Sequence, residues 1–235
     1  MTILNGDTVQ VKLISFSKPS KELISEGLYD VQELIAFCAR VSNPSNQFNT
    51  ETSEKLINYL VKHQHWSPLE MVSACLEIET TRDIARQMLR HRSFSFQEFS
   101  QRYADPTKDL NFVLREPRYQ DSKNRQNSVD FNLETDKDRF VAYQWENMQK
   151  RVIEEAKNAY QWAIDNGIAK EQARAVLPEG NTVSRLYMNG TLRSWIHFIQ
   201  LRSGNGTQKE HRLVALECAK VIAEVFPLAN NYIIQ

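Results

Sequence analysis

Between Arg90 and Tyr103 the chain carries three guanidiniums (Arg90, Arg92, Arg102), one imidazole (His91), one carboxylate (Glu98) and three serine hydroxyls (Ser93, Ser95, Ser100). No other stretch packs as much ionic and hydrogen-bonding capacity into so few residues. Guanidinium forks match the geometry of phosphate and carboxylate, and a sheltered charge-assisted hydrogen bond contributes roughly 1.5–3 kcal/mol. The chemistry such a set supports is the capture of an anion. A basic triplet on its own would equally serve a helix C-terminus, where cations complement the dipole and stay solvated.

The longer pattern is more specific. Arg90-His91-Arg92, seven intervening residues, then Ser100, Gln101 and Arg102 resemble the signature of the flavin-dependent thymidylate synthases. The likeness continues on both sides. Arg40-Val41-Ser42 is similar to a segment that lines the flavin site in that family. His65-Trp66-Ser67-Pro68-Leu69-Glu70 is similar to the family's His, spacer, Ser/Thr, Pro, spacer, Glu pattern against flavin. Ala173-Arg174-Ala175-Val176-Leu177-Pro178 resembles an Ala-Arg-x-x-Leu-Pro motif whose arginine binds the nucleotide. Phe198-Ile199-Gln200-Leu201-Arg202 resembles the segment whose last arginine contacts the pyrimidine.

The resemblance implies conversion of dUMP to dTMP, with 5,10-methylenetetrahydrofolate as carbon donor, NADPH as reductant and FAD as hydride carrier. It implies flavin contacts from Ser42, His65, Ser67, Glu70, Arg90, His91, Arg92, Arg193 and His197. Nucleotide contacts would come from Gln87, Arg90, Glu98, Phe99, Ser100, Gln101, Arg102, Arg174 and Arg202. Arg202, Ser100 and His65 stand closest to the chemistry in this reading. In some members Asn and His stand where this chain has His197 and Gly206. His197 can still hydrogen-bond; Gly206 cannot. The family further implies an α+β fold assembled as a homotetramer, with active sites at subunit interfaces.

The residue types make physical sense of those roles. A nucleotide phosphate carries nearly two negative charges and calls for guanidiniums, here Arg102 and Arg174, with Ser100 adding donors. Methylating uracil at C5 needs electron density there, and a cation at a ring oxygen, here Arg202, stabilises the charge as it develops. The protein's own contribution is placement and electrostatics. Serine is a weak nucleophile without an adjacent base. A positioning role therefore suits Ser100 better, although an imidazole kept neutral among guanidiniums, as at His91, would suit a base. Cys38, Cys75 and Cys218 sit in apolar runs that raise a thiol's pKa, and nothing resembles the cysteine motif of the folate-only thymidylate synthases.

The chain as a whole sets bounds. Its 235 residues suffice for one domain with a sizeable core, and its charges sum to zero. A neutral chain has no global field for nucleic acid and no polybasic tail for a membrane surface. Three separated cysteines fit reduced thiols in the cytoplasm, and no signal peptide or membrane-length apolar run is seen. His63 and His65 lack a Cys or carboxylate partner at metal-ligand spacing. A nucleic-acid module using Arg82, Arg86, Arg90, Arg92 and Arg102 with Phe94, Phe96 and Tyr103 for stacking is the alternative from another class, and the neutral charge opposes it. A non-catalytic assembly protein on the same fold is the other.

The elements that must position these groups follow from periodicity. Residues 9–16 and 72–79 alternate as strands, and 182–188 suggests a third before an Asn189-Gly190 turn. Helices are expected over 29–41, 52–63, from Thr80 or Thr81 to the signature, over 140–164 with Asn166-Gly167 as stop, over 191–201, and in a last stretch carrying Leu213, Leu216, Ile222 and Phe226. Capping boxes are expected at Ser67/Glu70 and Thr207/Glu210. On the longest helix Trp145, Met148, Val152, Ile153, Ala156, Tyr160 and Ala163 are expected in the core. Arg82 and Arg86 read as a solvated or subunit-contact stripe. Arg174, among small and apolar residues, is expected to be buried with a partner. The polar stretch 104–139 reads as one long connection, a lid over the site. The order predicts a single α+β domain with a mixed or antiparallel sheet and long helices.

Overall fold

The computed structural model describes residues 3–5 and 9–234. Its first elements are β1 (Ile3–Asn5), β2 (Gln10–Phe16), α1 (Lys21–Ser25), α2 (Val31–Ala39), α3 (Ser53–Lys62), β3 (Ser73–Thr81), α4 (Arg82–Met88) and β4 (Ser95–Glu98). These are followed by α5 (Pro106–Asp109), β5 (Phe112–Leu114), β6 (Arg118–Gln120), β7 (Ser128–Asp130), α6 (Asp136–Asp165), α7 (Lys170–Ala173), β8 (Val183–Thr191), α8 (Leu192–Ser203) and α9 (Lys209–Ala223). Strands β2, β3, β8 and β4 pair in that order, each pair antiparallel. Beside this sheet, β1 and β5 form a parallel pair and β6 and β7 a hairpin. The α+β class expected from the sequence is the class observed.

Alternation along β3 decides the layering. Ala74, Leu76 and Ile78 are buried, and with Leu186 and Met188 of β8 they meet Trp195, Phe198 and Ile199 of α8 and Val214, Cys218 and Ile222 of α9. Trp195 sits fully inside, and its Nε1 donates to the Ala74 carbonyl at 3.0 Å, which removes the penalty of burying the indole N–H. The opposite face of the sheet is polar. There Tyr187 donates to Glu77 at 2.7 Å and Arg185 to Glu79 at 2.6 Å, each across directly paired residues. A second, smaller core joins α6 to β5 and α7 through Phe112, Leu114, Ile153, Tyr160, Ala163 and Leu177.

Several expectations are corrected. Asn189 and Gly190 are not a turn but the end of β8, paired with Cys75 and Ala74 of β3, and a Cβ at Gly190 would clash with the Phe94 ring. Helix α6 begins at Asp136, and only part of its expected core face is buried. Trp145, Met148 and Val152 remain 44–54% exposed, because β5 and α7 meet the rows of Ile153, Ala156, Tyr160 and Ala163. The 104–139 stretch is no single loop: Leu110, Phe112, Val113 and Leu114 are buried, and α5, β5, β6 and β7 interrupt it. On α9 the core positions are Val214, Ala215, Cys218, Ala219 and Ile222, while Leu213 and Leu216 are half-buried.

Neither expected capping box forms. Ser67–Glu70 is one 3₁₀ turn that leads straight into β3, and Glu70 pairs with Arg193 instead. Thr207 lies outside α9, whose N-cap is Gln208, and Glu210 turns to Arg118 and Arg115. The capping box that does form, Asp30 with Glu33, opens α2. Phe94 is itself wedged against Trp195, with ring centroids 4.7 Å apart, so it has no room to yield. Gly190→Ala should therefore destabilise the fold by about 1–3 kcal/mol through overpacking. A chemical-denaturation midpoint unchanged by the substitution would contradict that contact.

Candidate functional site

Three elements bring a ring of polar groups together behind the signature. Helix α4 supplies Gln87, the turn after it His91, the last turn of α8 Arg202, and the first turn of α9 His211. Arg202 Nε donates to His91 Nε2 at 3.0 Å. An imidazole that accepts at Nε2 is neutral and carries its proton on Nδ1. Burial, then the adjacent Arg202 charge, push His91 down to about 4. His211 is fully buried, and burial, then Arg202 and His91, push it down to about 3. Its Nδ1 lies 3.2 Å from Gln87 Oε1, and Gln87 Nε2 donates to Gln208 Oε1 at 2.9 Å. His211 Nε2 is buried with no protein partner among the described residues. Phe198 closes the ring with its centroid 5.1 Å from that of His91.

The signature itself runs from this ring along the sheet edge. After the His91 turn, Phe94 enters the core and Ser95–Glu98 add a strand against β8. Glu98 accepts from Ser184 at 2.8 Å, with Arg82 at 3.7 Å. The Phe99 amide donates to the Arg185 carbonyl at 2.8 Å, and its ring packs on Leu110, Val113 and Val183. Gln101 is buried. Ser100 forms the start of a tight turn: its Oγ accepts from the Arg102 amide at 3.4 Å and its carbonyl from Tyr103 and Ala104. No base touches the Ser100 hydroxyl among the described residues, since His91 turns its lone pair to Arg202. Arg102 pairs with Glu171 of α7 at 3.4 Å, and Arg174 Nε donates to the Glu171 carbonyl at 3.3 Å. Arg102 and Arg174 thus converge on α7. Arg174 is only half-buried, which corrects the expectation of a buried, partnered charge.

A third group forms where α3 ends. Gln64 adopts a left-handed backbone at φ 59°, the Gln64 amide donates to Val61 and the His65 amide to Leu60, the Schellman pattern usually closed by glycine. This arrangement turns His65 outward and starts the Ser67–Glu70 turn, which packs on α8. There Glu70 pairs with Arg193, and the Trp66 ring meets His197 edge-on at 4.4 Å. Burial, then the Arg193 charge, lower the His197 pKa. Arg193 Nε is buried with no hydrogen-bond partner among the described residues. Ser42 lies apart, exposed, just beyond α2, where Arg40 ties the following turn to the Asn49 carbonyl and to Thr52 at 2.8 Å.

Ion pairing sorts the arginines. Arg82, Arg86, Arg115, Arg118 and Arg185 are each held by at least one carboxylate. Arg82 and Arg86 share Glu179; of the stripe expected to be solvated or in a subunit contact, Arg86 is exposed and Arg82 is largely covered. Arg90, Arg92, Arg174 and Arg202 pair with no carboxylate among the described residues. With Phe94 buried and Arg82 and Arg86 occupied, the stacking face of a nucleic-acid module is not assembled. No helix among the described residues is long and apolar enough to cross a membrane. The sequence reading missed His211 and Gln208, whose only signal was a polar run at the start of an otherwise packing helix.

The chain matches the family described as thymidylate synthase complementing protein over residues 22–228. It is 48% identical over 221 residues to the flavin-dependent thymidylate synthase of Synechocystis sp., covering 93% of this chain and 96% of that protein. A protein of Paramecium bursaria Chlorella virus 1 named "Probable flavin-dependent thymidylate synthase" is 45% identical over 224 residues, with coverage of 93% and 96%. Among solved structures, the UMP/dUMP methylase PolB of Streptomyces cacaoi bound with 5-Br UMP superposes with a TM-score of 0.78 at 26% identity, covering 98% of this chain and 95% of its own.

The half-buried His91 and the buried His211 make stability depend on pH. Both have folded pKa values below the ordinary 6.5, so between 6.5 and about 4 the unfolded chain binds protons that the native chain refuses. Their stabilising contribution is complete above 6.5 and is lost as the pH falls. The slope is about 1.4 kcal/mol per pH unit for each group. Urea midpoints measured from pH 7 to pH 4 should fall steadily, and His211→Asn should make the slope shallower. An identical slope in the variant would show that His211 is not held neutral.

Proposed function

The chain belongs to the family of flavin-dependent thymidylate synthases, and we infer that it converts dUMP to dTMP with 5,10-methylenetetrahydrofolate as carbon donor, FAD as its flavin and NADPH as reductant. The observation that carries this reading is Arg202, a part-buried guanidinium whose one side-chain hydrogen bond among the described residues goes to a neutral imidazole. Burial and then the Arg90 charge lower its pKa. Its remaining N–H groups are uncommitted among the described residues, and they suit a pyrimidine oxygen on which negative charge builds as C5 is methylated. His91 holds the guanidinium in orientation without neutralising it. His211 and Gln87 keep the neighbouring wall polar.

The residues around Arg193 fit a flavin dinucleotide. Arg193 Nε is buried and has no partner among the described residues, and Ser67, His65 and His197 add donors of the kind that phosphate and ring carbonyl groups take up. We assign flavin contacts to Ser42, His65, Ser67, Glu70, Arg90, His91, Arg92, Arg193 and His197. When bound, the flavin supplies the hydride that the reductive methylation consumes. Arg102, Arg174 and the Ser100 turn would hold the nucleotide phosphate, and Glu98, Phe99 and Gln101 fix that turn against β8 and the core. Ser100 acts here by position, since its hydroxyl contacts the Arg102 amide.

Within one chain the α7 pair, Arg102 and Arg174, and the Arg202 group form separate clusters. We propose that copies of the chain assemble as a homotetramer, so that each site draws on more than one copy. The exposed aromatic side chains of α6, with Phe140, Tyr143 and Trp162 each above 60% exposed, give such an assembly apolar surface to bury.

Arg202→Ala should keep its flavin, read from the visible absorbance of the purified protein, and lose about a hundredfold or more in turnover of dUMP. Wild-type turnover in the variant would remove Arg202 from the mechanism. Ser100→Ala should retain measurable turnover with a KM for dUMP raised about tenfold, the equivalent of one lost hydrogen bond. Complete loss of turnover with dUMP binding intact would instead make Ser100 the nucleophile.

A further inference from the structure

Between the β6–β7 hairpin and the start of α9 lies a polar cavity of about 360 Å³. Arg118, Arg125, Lys209 and Arg212 line it, and Asp130 is its one carboxylate. Two of the four cations are committed: Arg118 to Glu210, and Lys209 to Glu116 at 2.8 Å and Asp130 at 3.3 Å. Arg125 and Arg212 pair with no carboxylate among the described residues; Arg212 Nη1 donates to the neutral Asn205 side chain at 2.7 Å. No side chain caps α9, and Gln208 and Lys209 at its N-terminus line the same cavity, which adds the positive end of the helix dipole.

The loop that presents Arg125 is built. Gln120 Nε2 donates to the carbonyls of Asp121, Arg125 and Asn127 at 3.2–3.3 Å. Asp121 gathers the amides of Lys123 and Asn124 and the Asn127 side chain, which holds its carboxyl below the usual range. Arg125 contributes only its carbonyl to that framework, which leaves its guanidinium for a ligand. The cavity also adjoins the reaction site, because Gln208 lines it and accepts from Gln87 beside His211.

We propose that this cavity is an anion subsite that receives a carboxylate or phosphate of a substrate bound beside the Arg202–His91 group. The proposal rests on the functional reading above. Two sources share that chemistry, the nucleotide phosphate and the glutamate carboxylates of the folate, and with the phosphate assigned to Arg102 and Arg174 the folate tail is the better match.

The test uses Arg125→Gln in the flavin-loaded enzyme, with circular dichroism to check the fold. KM is measured for dUMP and for methylenetetrahydrofolate carrying one or three glutamates. One of these KM values should rise about tenfold, as expected for loss of a charge-assisted contact, with kcat within about twofold. Arg125→Lys should recover part of the loss. An increase that grows with glutamate number assigns the carboxylate tail; an increase confined to dUMP assigns the phosphate. Unchanged KM for every substrate overturns the proposal. Absence of thymidylate synthase activity in the unaltered enzyme would overturn the functional reading instead. In that event, calorimetric titration with inorganic phosphate and triglutamate decides the cavity: weaker binding to Arg125→Gln supports it, equal binding ends it.

Discussion

A guanidinium taken partly out of water needs something to replace its solvation, and Arg202 has a neutral imidazole for that purpose. The rest of the site depends on that arrangement. His91 accepts only while it is unprotonated, and it is unprotonated because the core around Phe198 and the last two helices withdraws it from solvent. A carboxylate in the same place would have bound Arg202 more strongly and cancelled its charge. The imidazole orients the cation and leaves its field intact. The packing of α8 and α9 on the sheet therefore sets the electrostatics of the site as well as the stability of the fold.

The same division runs through the molecule. Arg115, Asp83, Glu210 and Arg118 form a network that ties α4, the chain around β5 and β6, and the first turn of α9 together. Burial raises the Glu210 carboxyl, but its own backbone amide and the Arg115 and Arg118 charges outweigh that and hold it below its usual range. Buried ion pairs often add little net stability over apolar packing, yet removing one partner leaves a stranded charge at a cost of about 3–5 kcal/mol. What this network secures is the position of Glu210, and with it the adjacent His211. Structural arginines are neutralised within the chain; those assigned to ligands are mostly not.

Elements whose residues alternate between core and water were legible in the sequence. Strand β3, helix α2 and helix α8 came out within about two residues because burial on one face is a local pattern. The capping boxes failed where a partner distant in sequence competed for the carboxylate. A cap contributes about 1 kcal/mol, and a buried charge-assisted bond of the Glu210–Arg118 type exceeds it at roughly 1.5–3 kcal/mol. At Glu70, which is more exposed, the deciding factor is length, since a single 3₁₀ turn offers no helix to cap. Strand β4 escaped notice because the signature looks like a charged loop until β8 supplies an edge for it to pair with. Of the site, the arginines announced themselves by type and spacing. His211 did not, because nothing local distinguishes a buried polar helix start from a solvated one.

Solvation also decides which charges a ligand can recruit. Arg102 meets Glu171 at 3.4 Å with both side chains about half exposed, and such surface pairs contribute about 0–1 kcal/mol. An incoming phosphate, with nearly two charges and bidentate geometry, can replace Glu171 at little loss. Arg118 is largely covered and Glu210 buried, so they cannot be parted so cheaply. The two kinds of pair look alike as contacts, but only the first could be opened by an anion at little cost. Arg102 is therefore, with Arg174 and Arg202, charge that the proposed function can recruit, and Arg118 belongs with the scaffold.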